Sequence, residues 1–193
     1  PIIKTAEVKS AAQAQNFANK FGLPIVLKID SEKILHKTEI GAVITRLITS
    51  QEIKRAYLAL KKQLPKDGKI LIQPQPKGVE LIIGFKKDPS FGTVFVFGQG
   101  GIYTEIFKDL SLRIGQLNRK EILSMIKQTK VSQLLSGYRN YIKVDLNKIV
   151  DVILKIVRIA KENPQIMEFD INPLIVNTDF TAIVDVKILK ESK

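Results

Sequence analysis

The sequence contains no cysteine and a single histidine among its 193 residues. The absence of cysteine excludes disulfide bonds, thiolate catalysis and cysteine-ligated zinc or iron–sulfur sites. The single histidine, His36, excludes a metal site built from several imidazoles, and a serine–histidine–aspartate triad would depend on that one side chain. A metal ion bound by this chain would therefore lie among oxygen ligands, which suits Mg²⁺ or Mn²⁺.

Long apolar runs are also missing from the sequence. No stretch approaches the ~20 apolar residues of a membrane-spanning helix, and the N-terminus lacks the order of charged, apolar and small residues that marks a secretion signal. We therefore expect a cytoplasmic protein without a membrane partner. The hydrophobic fraction of 45% is that of an ordinary globular protein, which disfavours disorder of the whole chain.

Acidic residues are scarce relative to basic ones: 31 Lys and Arg face 19 Asp and Glu, for a net charge of +12. This balance favours anionic partners such as nucleotides, nucleic acids, CoA-like substrates or a membrane surface. The alternative is a lysine-rich surface with no single target. The basic residues are spread along the chain without the aromatic clusters of single-strand binders, which disfavours a nucleic-acid role. Abundant lysine and isoleucine without cysteine is typical of thermophile proteins.

The first part of the chain carries two helix patterns and two strand patterns. Ser10 is a capping residue before the amphipathic segment 11–21, and Gly22 follows the end of that segment. Ser50 is predicted to cap a second helix, which Pro65 stops. The predicted strands cover 23–30 and 42–48, with a polar loop at 31–41 between them.

The second part of the chain is richer in strand patterns, separated by Gly or Pro. Two helices are predicted to begin at Asn118 and Asp145. Together the patterns predict an α+β fold in one domain, 1–193, with a first lobe at 1–74 and a second lobe at 75–193. The strands predicted after Gly68 are 69–75, 79–87, 93–98, 102–109, 165–177 and 181–189.

The last two predicted strands bring oxygen-bearing side chains together. Strand alternation puts Glu168, Asp170 and Asn172 on one face. If the two strands form a hairpin about their short turn, opposed residues have numbers that sum to about 357, and Asn172 lies opposite Asp185. An amide oxygen beside a carboxylate offers two hard ligands for Mg²⁺. The alternative is a polar cross-strand pair beside a strand bent by proline.

Three further features are compatible with phosphate binding, and each has a plainer alternative. The GQGG turn at 98–101 either aims backbone N–H groups at a phosphate or joins two strands; it is neither a P-loop nor a Rossmann fingerprint. Lys28, in an apolar strand, either meets an anion or lies on the solvent face of an edge strand. Strand alternation places Asp109, Ser111 and Arg113 on one face, where they either bind a phosphate or form a surface ion pair.

Six segments stand out when they are taken in order: LPIVLKI, ILHKTEIGAV, PKGVELIIGFKKDPSFG, FGQGGIYTEIFKDLSLRI, LLSGYR, and EFDINPLIV with AIVDVKI. Together they resemble the ATP-grasp subunit of ADP-forming acyl-CoA synthetases, the archaeal-type acetyl-CoA synthetases related to succinyl-CoA synthetase β subunits. The resemblance covers nearly the whole chain. In this family a further helix precedes the segment that matches the opening Pro1, so a truncated or standalone grasp domain is a further alternative.

The resemblance implies an ATP-grasp fold, in which two lobes clasp a nucleotide. In the first lobe, Lys28 matches the strand lysine that contacts nucleotide phosphates. His36, Lys37 and Gly41 match a loop that covers the phosphates. Gln73 stands where the family usually has a hinge acid beside the groups that read adenine, and this departure leaves the ribose and adenine contacts open.

In the second lobe the resemblance implies nucleotide contacts, catalytic groups and metal ligands. Glu80 matches an acid that faces the nucleotide. Asn172 and Asp185 match the Mg²⁺ ligands, with Asp170 as a supporting neighbour, in agreement with the hairpin argument. The segment near the phosphates is matched by Gly100, Gly101, Glu105 and Arg113. The catalytic residues implied by the resemblance are His36, Glu105 and Arg113.

The implied reaction is acyl-CoA + ADP + phosphate ⇌ carboxylic acid + ATP + CoA, with ATP or ADP and Mg²⁺ bound by this chain. In the family, a CoA-binding α subunit forms the acyl phosphate, and a histidine of that subunit carries the phosphoryl group to the ADP site. We therefore expect a hetero-oligomer such as α2β2. His36 is either a transient phosphate relay or a phosphate-contacting imidazole.

Two other classes of function compete with this interpretation. One is an ATP-grasp ligase that joins a carboxylate to an amine, which would need a pocket for both within 193 residues. The other is a basic nucleic-acid-binding module, whose affinity would fall steeply with salt. We expect nucleotide binding and no nucleic-acid partner.

Overall fold

The computed structural model describes residues 2–31, 41–101, 104, 108–138 and 143–191. These residues form two compact units, of which the first is Ile3–Pro76 and the second comprises residue 2 with the chain from Lys77 onward. Each unit has its own antiparallel sheet and its own hydrophobic core. Helices combined with antiparallel sheets confirm the predicted α+β class.

Two helices form the helical layer of the first unit. The Ser10 hydroxyl caps the first helix, as predicted. The second helix is capped by Thr49 and not by Ser50, because Thr49 and Glu52 satisfy each other's backbone N–H groups in a capping box. The prediction for Ser50 is therefore wrong by one residue. The helices are α1 (Ala11–Phe21) and α2 (Ser50–Lys62).

The sheet of the first unit has four strands in the order β1-β4-β2-β3. Ile25, Leu27 and Ile29 alternate along β2 and are buried in the core with α1 and α2. The sequence does not predict β1, because a strand of two residues shows no alternation. The strands are β1 (Ala6–Glu7), β2 (Ile25–Asp30), β3 (Val43–Leu47) and β4 (Lys69–Pro74).

The sheet of the second unit has six strands in the order β10-β8-β5-β6-β7, and β9 also pairs with β8. All of these pairings are antiparallel. The long central strand β8 therefore has β5 on one side and both β9 and β10 on the other. The strands are β5 (Val79–Asp88), β6 (Gly92–Gln99), β7 (Leu110–Ile114), β8 (Ile166–Val176), β9 (Thr181–Ile183) and β10 (Val186–Lys190).

Three helices pack on one face of this second sheet. Alternate residues of β5, among them Leu81, Ile83 and Phe85, are buried in one core with residues of these helices. Burial of apolar surface stabilises the fold by about 25 cal/mol per Å². The intervening residues of the same strands, such as Glu80, lie on the opposite face. The helices are α3 (Arg119–Lys127), α4 (Val131–Leu135) and α5 (Leu146–Glu162).

Two predicted elements of the second part differ from the structure. Thr104 is helical, and the strand that follows β6 is β7, which begins only at Leu110. The strand predicted at 102–109 is therefore wrong where the chain is described. Residues 102–103 and 105–107 lie outside the described residues. The helix predicted from Asn118 to about Lys130 ends at Lys127, where α4 follows. In the described part of the chain, no helix has the length and apolar character needed to cross a membrane.

Candidate functional site

The pairing of β8 is interrupted where the chain carries Asn172 and Pro173. β8 pairs with β10 up to Ile171 and resumes with β9 at Leu174. Across the gap, the Asn172 N–H donates to the main-chain oxygen of Asp185 at 3.2 Å. These two residues therefore lie opposite each other, in the register predicted from the sequence. Local irregularities of this kind re-aim side chains and are common next to active sites.

The turn after β6 contacts this interruption through a backbone amide. Gly101 N donates to Asn172 Oδ1 at 2.8 Å. Gly100 N and Gln99 Nε2 both donate to the main-chain oxygen of Glu80, at 2.8 and 3.1 Å. Gly101 has a φ of +69°, which glycine adopts without the strain that a side chain would cause. The turn therefore links β5 to β8 at the candidate site.

The half-buried side chain of Glu80 lies directly against this turn. A Cβ atom at position 101 would overlap Glu80 Oε2, so the carboxylate occupies the space that the missing side chain of Gly101 leaves. Burial raises the pKa of Glu80 above its ordinary value of 4.5. An ionised carboxylate in this position can accept hydrogen bonds from the hydroxyl or amino groups of a ligand.

Negative charge is concentrated on β8 beside Asn172. The pKa of Asp170 is raised from 3.8 to about 6, first by burial and then by the negative charges of Glu168 and Asp185, while Lys187 opposes the shift. Lys187 Nζ lies 3.1 Å from Glu168 Oε1. A bound cation would relieve the repulsion among these carboxylates.

The oxygen atoms of Asn172 and Asp185 suit a hard divalent cation. Amide and carboxylate oxygens are the ligand types that Mg²⁺ prefers, and Asn172 Oδ1 has a second lone pair besides the one that accepts from Gly101. Within the described ranges, no three His, Cys, Asp or Glu side chains converge as a metal-binding group. A Mg²⁺ ion would therefore keep positions for water and phosphate oxygens, as it does in phosphoryl-transfer sites.

Arg113 lies on the helix-covered face of the second sheet, opposite to the face that carries Glu80 and Asp170. It pairs with the buried Phe95, and its guanidinium donates to Gln128 Oε1 of the helical layer at 2.8 Å and to Ser111 Oγ at 3.1 Å. Asp109 accepts hydrogen bonds from two backbone N–H groups at the start of α4. The alternation of these three polar residues onto one face is confirmed, but it is the helix-covered face. The catalytic role of Arg113 stays a prediction, and this geometry puts it on the sheet face opposite to that of Glu80 and Asp170.

Lys28 and Gln73 are buried in the first unit, on the sheet face that points away from α1 and α2. Lys28 is only 5% exposed, and β2 lies between β4 and β3, so the alternative of a solvent-facing lysine on an edge strand is wrong. Val26 pairs with Gln73, which makes Gln73 a diagonal neighbour of Lys28. Gln73 Nε2 donates to Thr5 Oγ1 at 2.9 Å.

The predicted phosphate-covering loop is described only at its end. Gly41 has a φ of +68° with open space where a side chain would be, and its main-chain oxygen accepts from Gln63 Nε2 at 3.2 Å. A left-handed glycine with free space around it is compatible with the predicted loop role. His36, Lys37 and Glu105 lie outside the described residues.

Sequence reasoning missed a hollow beside the acidic residues of β8. Its volume is about 360 Å³, with Val96 and Leu112 on its apolar side and Glu168 and Asp170 on its acidic side. Alternation along each strand shows which residues share a face, but strand order decides which of them become neighbours. That order comes from tertiary pairing and is not visible in the sequence.

The sequence of this chain is similar to a known protein family and to several of its members. Residues 1–189 match a family profile described as an ATP-grasp domain. The β subunit of ADP-forming acetate–CoA ligase I from Pyrococcus furiosus is 32% identical over 196 residues, which covers 98% of this chain and 84% of that subunit. The ADP-forming acetate–CoA ligase II of Archaeoglobus fulgidus is 35% identical over 191 residues, but this chain spans only 28% of its length.

Two solved structures of the dinucleotide-forming acetyl-coenzyme A synthetase 1 of Ca. Korarchaeum cryptofilum are similar to this chain. The complex with coenzyme A, Ca-AMPCP and HgCl⁺ has a TM-score of 0.85 and 37% identity, over 99% of this chain and 86% of that one. The complex with coenzyme A and Mg-AMPPCP, whose phosphohistidine segment points towards the nucleotide-binding site, has a TM-score of 0.80 and 36% identity, over 99% and 85%.

Proposed function

Since this chain belongs to the ATP-grasp family, in the group that contains the β subunits of ADP-forming acetate–CoA ligases, we propose that it is the nucleotide-binding part of an ADP-forming acyl-CoA synthetase. The whole enzyme would interconvert acyl-CoA, ADP and phosphate with a carboxylic acid, ATP and CoA. We assign to this chain the half of that reaction in which a phosphoryl group passes between a protein histidine and ADP.

The observation that carries this proposal is the opposition of Asn172 and Asp185 at the interruption of β8. Two oxygen-bearing residues oppose each other there; the Gly101 amide donates to Asn172 Oδ1, and the carboxylate of Glu80 lies against the same turn. Such a group of residues suits a nucleotide phosphate that arrives with its divalent cation. A plain cross-strand polar pair would not need the amide contact from a turn 71 residues away in sequence.

The proposed chemistry consists of positioning and charge compensation. In the direction of ATP synthesis, the bond between the histidine nitrogen and phosphorus breaks while a β-phosphate oxygen of ADP bonds to phosphorus. Asn172 and Asp185 would hold Mg²⁺, which supplies positive charge at the phosphate oxygens when bound. The resemblance implies that Lys28 would contact nucleotide phosphates and that Glu80 would face the nucleotide, from which its carboxylate could accept hydrogen bonds. Fixed charges of this kind lower the barrier without reorganising during the reaction.

The partner in this proposal is a CoA-binding α subunit. The Pyrococcus relative is named a subunit β, and in the Korarchaeum structure a phosphohistidine segment points towards the nucleotide site. This chain would then act in a cytoplasmic hetero-oligomer such as α2β2, with the acyl-binding pocket on the partner. The roles of His36, Lys37 and Glu105 stay predictions from the resemblance.

The test is the Mg²⁺ dependence of ADP binding in the Asp185→Ala variant. Calorimetric titration with ADP should show that Mg²⁺ raises the affinity of the unchanged chain, and that Asp185→Ala lowers the affinity for Mg·ADP by about 100-fold or more, since even outer partners of a metal ligand contribute about 10–100-fold. At 100 times the dissociation constant, Mg·ADP should also add about 2.7 kcal/mol to the free energy of unfolding of the unchanged chain.

The matched control is Asp179→Ala, which removes the same charge from the exposed turn of the same hairpin. This variant should bind Mg·ADP like the unchanged chain, and without Mg²⁺ the two variants should bind ADP equally. If Asp185→Ala retains the full Mg²⁺ effect, the assignment of the metal site is wrong.

A further inference from the structure

Gly101 contacts both oxygen-bearing side chains that flank the turn after β6. Its N–H donates to Asn172 Oδ1 at 2.8 Å, and its Cα lies where only the absence of a side chain leaves space for the carboxylate of Glu80. We propose that Gly101 is the positioning residue of the site: it orients the amide of Asn172 and seats the carboxylate of Glu80. For its effect on Mg·ADP binding, this proposal rests on the proposed function.

The contact to Asn172 fixes which end of the amide faces the turn. An N–H can donate only to the oxygen, because the NH₂ group of the amide is itself a donor. Oδ1 is thereby held on the side of Gly101, with one lone pair engaged and a second one left for a cation. Partners that orient a ligand in this way typically contribute about 10–100-fold to metal affinity.

The contact to Glu80 involves only the end of that side chain. A Cβ atom at position 101 would overlap Oε2 and lie 2.9 Å from Cδ, but it would be 3.7 Å from the Glu80 Cβ, an ordinary contact. The main chain of Glu80 has little freedom to retreat, because its carbonyl oxygen accepts from Gly100 N and Gln99 Nε2. A side chain at position 101 would therefore displace the carboxylate and not the strand.

Gly92 provides a matched control for the backbone conformation. Its φ of +71° is close to the +69° of Gly101, and no heavy atom lies within 4 Å of a Cβ built there. Alanine at either position meets the same left-handed strain. Any additional effect of Gly101→Ala therefore reports the contacts of that residue.

The first experiment is a double-mutant cycle on the melting temperature of the ligand-free chain. Gly101→Ala should lower the melting temperature more than Gly92→Ala does, by a small margin, because only the flexible end of the Glu80 side chain has to move. In the Glu80→Ala background, where the overlapping atoms are gone, Gly101→Ala should lower it no more than Gly92→Ala. Equal losses from Gly101→Ala in both backgrounds would show that Gly101 does not seat Glu80.

The second experiment follows hydrogen exchange of the Gly101 amide, again without ligand. Exchange should be slow in the unchanged chain and in Asn172→Asp, which keeps an acceptor oxygen, and faster in Asn172→Ala. Exchange that does not respond to Asn172→Ala would overturn the orienting contact.

The third experiment links these contacts to binding. Gly101→Ala should weaken Mg·ADP binding by about 10–100-fold in calorimetric titration, while Gly92→Ala leaves it unchanged. Unchanged binding in Gly101→Ala would contradict a positioning role. If Mg²⁺ has no effect on ADP binding by the unchanged chain, the proposed function fails, and the two ligand-free experiments still decide whether Gly101 holds Asn172 and Glu80.

Discussion

The two faces of the second sheet are built by alternate residues of the same strands, yet one buries a largely apolar core and the other carries carboxylates. On the helix-covered face, the ring of Phe85 lies between Phe95 and Phe169, with centroids 6.0 and 5.9 Å away. On the opposite face, Glu80 and Asp170 are carboxylates whose pKa values burial raises. Residues that stabilise the fold and residues that could bind a ligand therefore alternate along the same strands. A substitution on the helix-covered face should change stability without changing ligand binding.

The two faces also affect the free energy of folding in opposite directions. Apolar contacts on the first face favour folding, whereas a raised carboxylate pKa means that ionisation of Asp170 opposes folding at neutral pH. Sites that bind charged ligands commonly reduce the stability of the free protein in this way. The site face should become favourable only when a cation or ligand compensates its charge.

The largest effect is expected from Phe85→Ala on the helix-covered face. Phe85 is 2% exposed, and its removal would leave a cavity between two aromatic rings. Changes of this type lower the free energy of unfolding by about 3–5 kcal/mol. Denaturant unfolding followed by circular dichroism measures this loss.

The control for this prediction is Phe91→Ala, because Phe91 is 62% exposed. That change should alter the free energy of unfolding by less than about 0.5 kcal/mol. Below its unfolding transition, Phe85→Ala should still bind Mg·ADP with the affinity of the unchanged chain. A large loss of affinity in the folded variant would mean that the two faces are not independent.

A smaller effect of opposite sign is expected from Asp170→Asn on the site face. The folded chain holds the Asp170 proton up to about pH 6, whereas the unfolded chain releases it near 3.8. The folded state therefore binds more protons between these values, and the stability of the unchanged chain falls as the pH rises through this window. Asparagine carries no charge, so the stability of Asp170→Asn should not fall with this ionisation as the pH rises.

Above pH 7, Asp170→Asn should be more stable than the unchanged chain by about 1 to 2 kcal/mol, because solvent screens this half-buried group and reduces the full effect. Near pH 4 the two proteins should be almost equally stable. Thermal unfolding measured from pH 4 to 8 provides both values. A variant that is less stable than the unchanged chain at pH 7 would contradict a destabilising charge at this position.

The register of the C-terminal hairpin was predictable from the sequence because local features fix it. A short turn between two alternating segments determines which residues oppose each other, and so Asn172 meets Asp185 across the strands. The caps Ser10 and Asn118 were predictable for the same reason, since each satisfies N–H groups within three residues.

The contacts that complete the site were not predictable, because they join segments far apart in sequence. The bond from Gly101 to Asn172 joins the turn after β6 to β8 across the end of β5, and the order of these three strands is set by tertiary pairing. The strand predicted at 102–109 fails at Thr104 for a different, local reason. There, hydrogen bonds to the main-chain oxygens of Gln99 and Gly101 favour a helical turn over the extended form that the residue types favour.

The smallest effect is expected from Arg113→Ala, and it tests which face this residue serves. The guanidinium bonds to Gln128 on the helix-covered face, so its loss should lower the free energy of unfolding by about 1 kcal/mol, the usual contribution of such a hydrogen bond. Gln128→Ala removes the acceptor of the same hydrogen bond and should lower the free energy of unfolding by about as much. The double variant should lose little more than either single variant. Calorimetric titration should give all three variants the Mg·ADP affinity of the unchanged chain. A tenfold loss confined to Arg113→Ala would instead assign Arg113 to the phosphate chemistry that the sequence resemblance implies, and would mean that this side chain serves the site in spite of the face on which it lies.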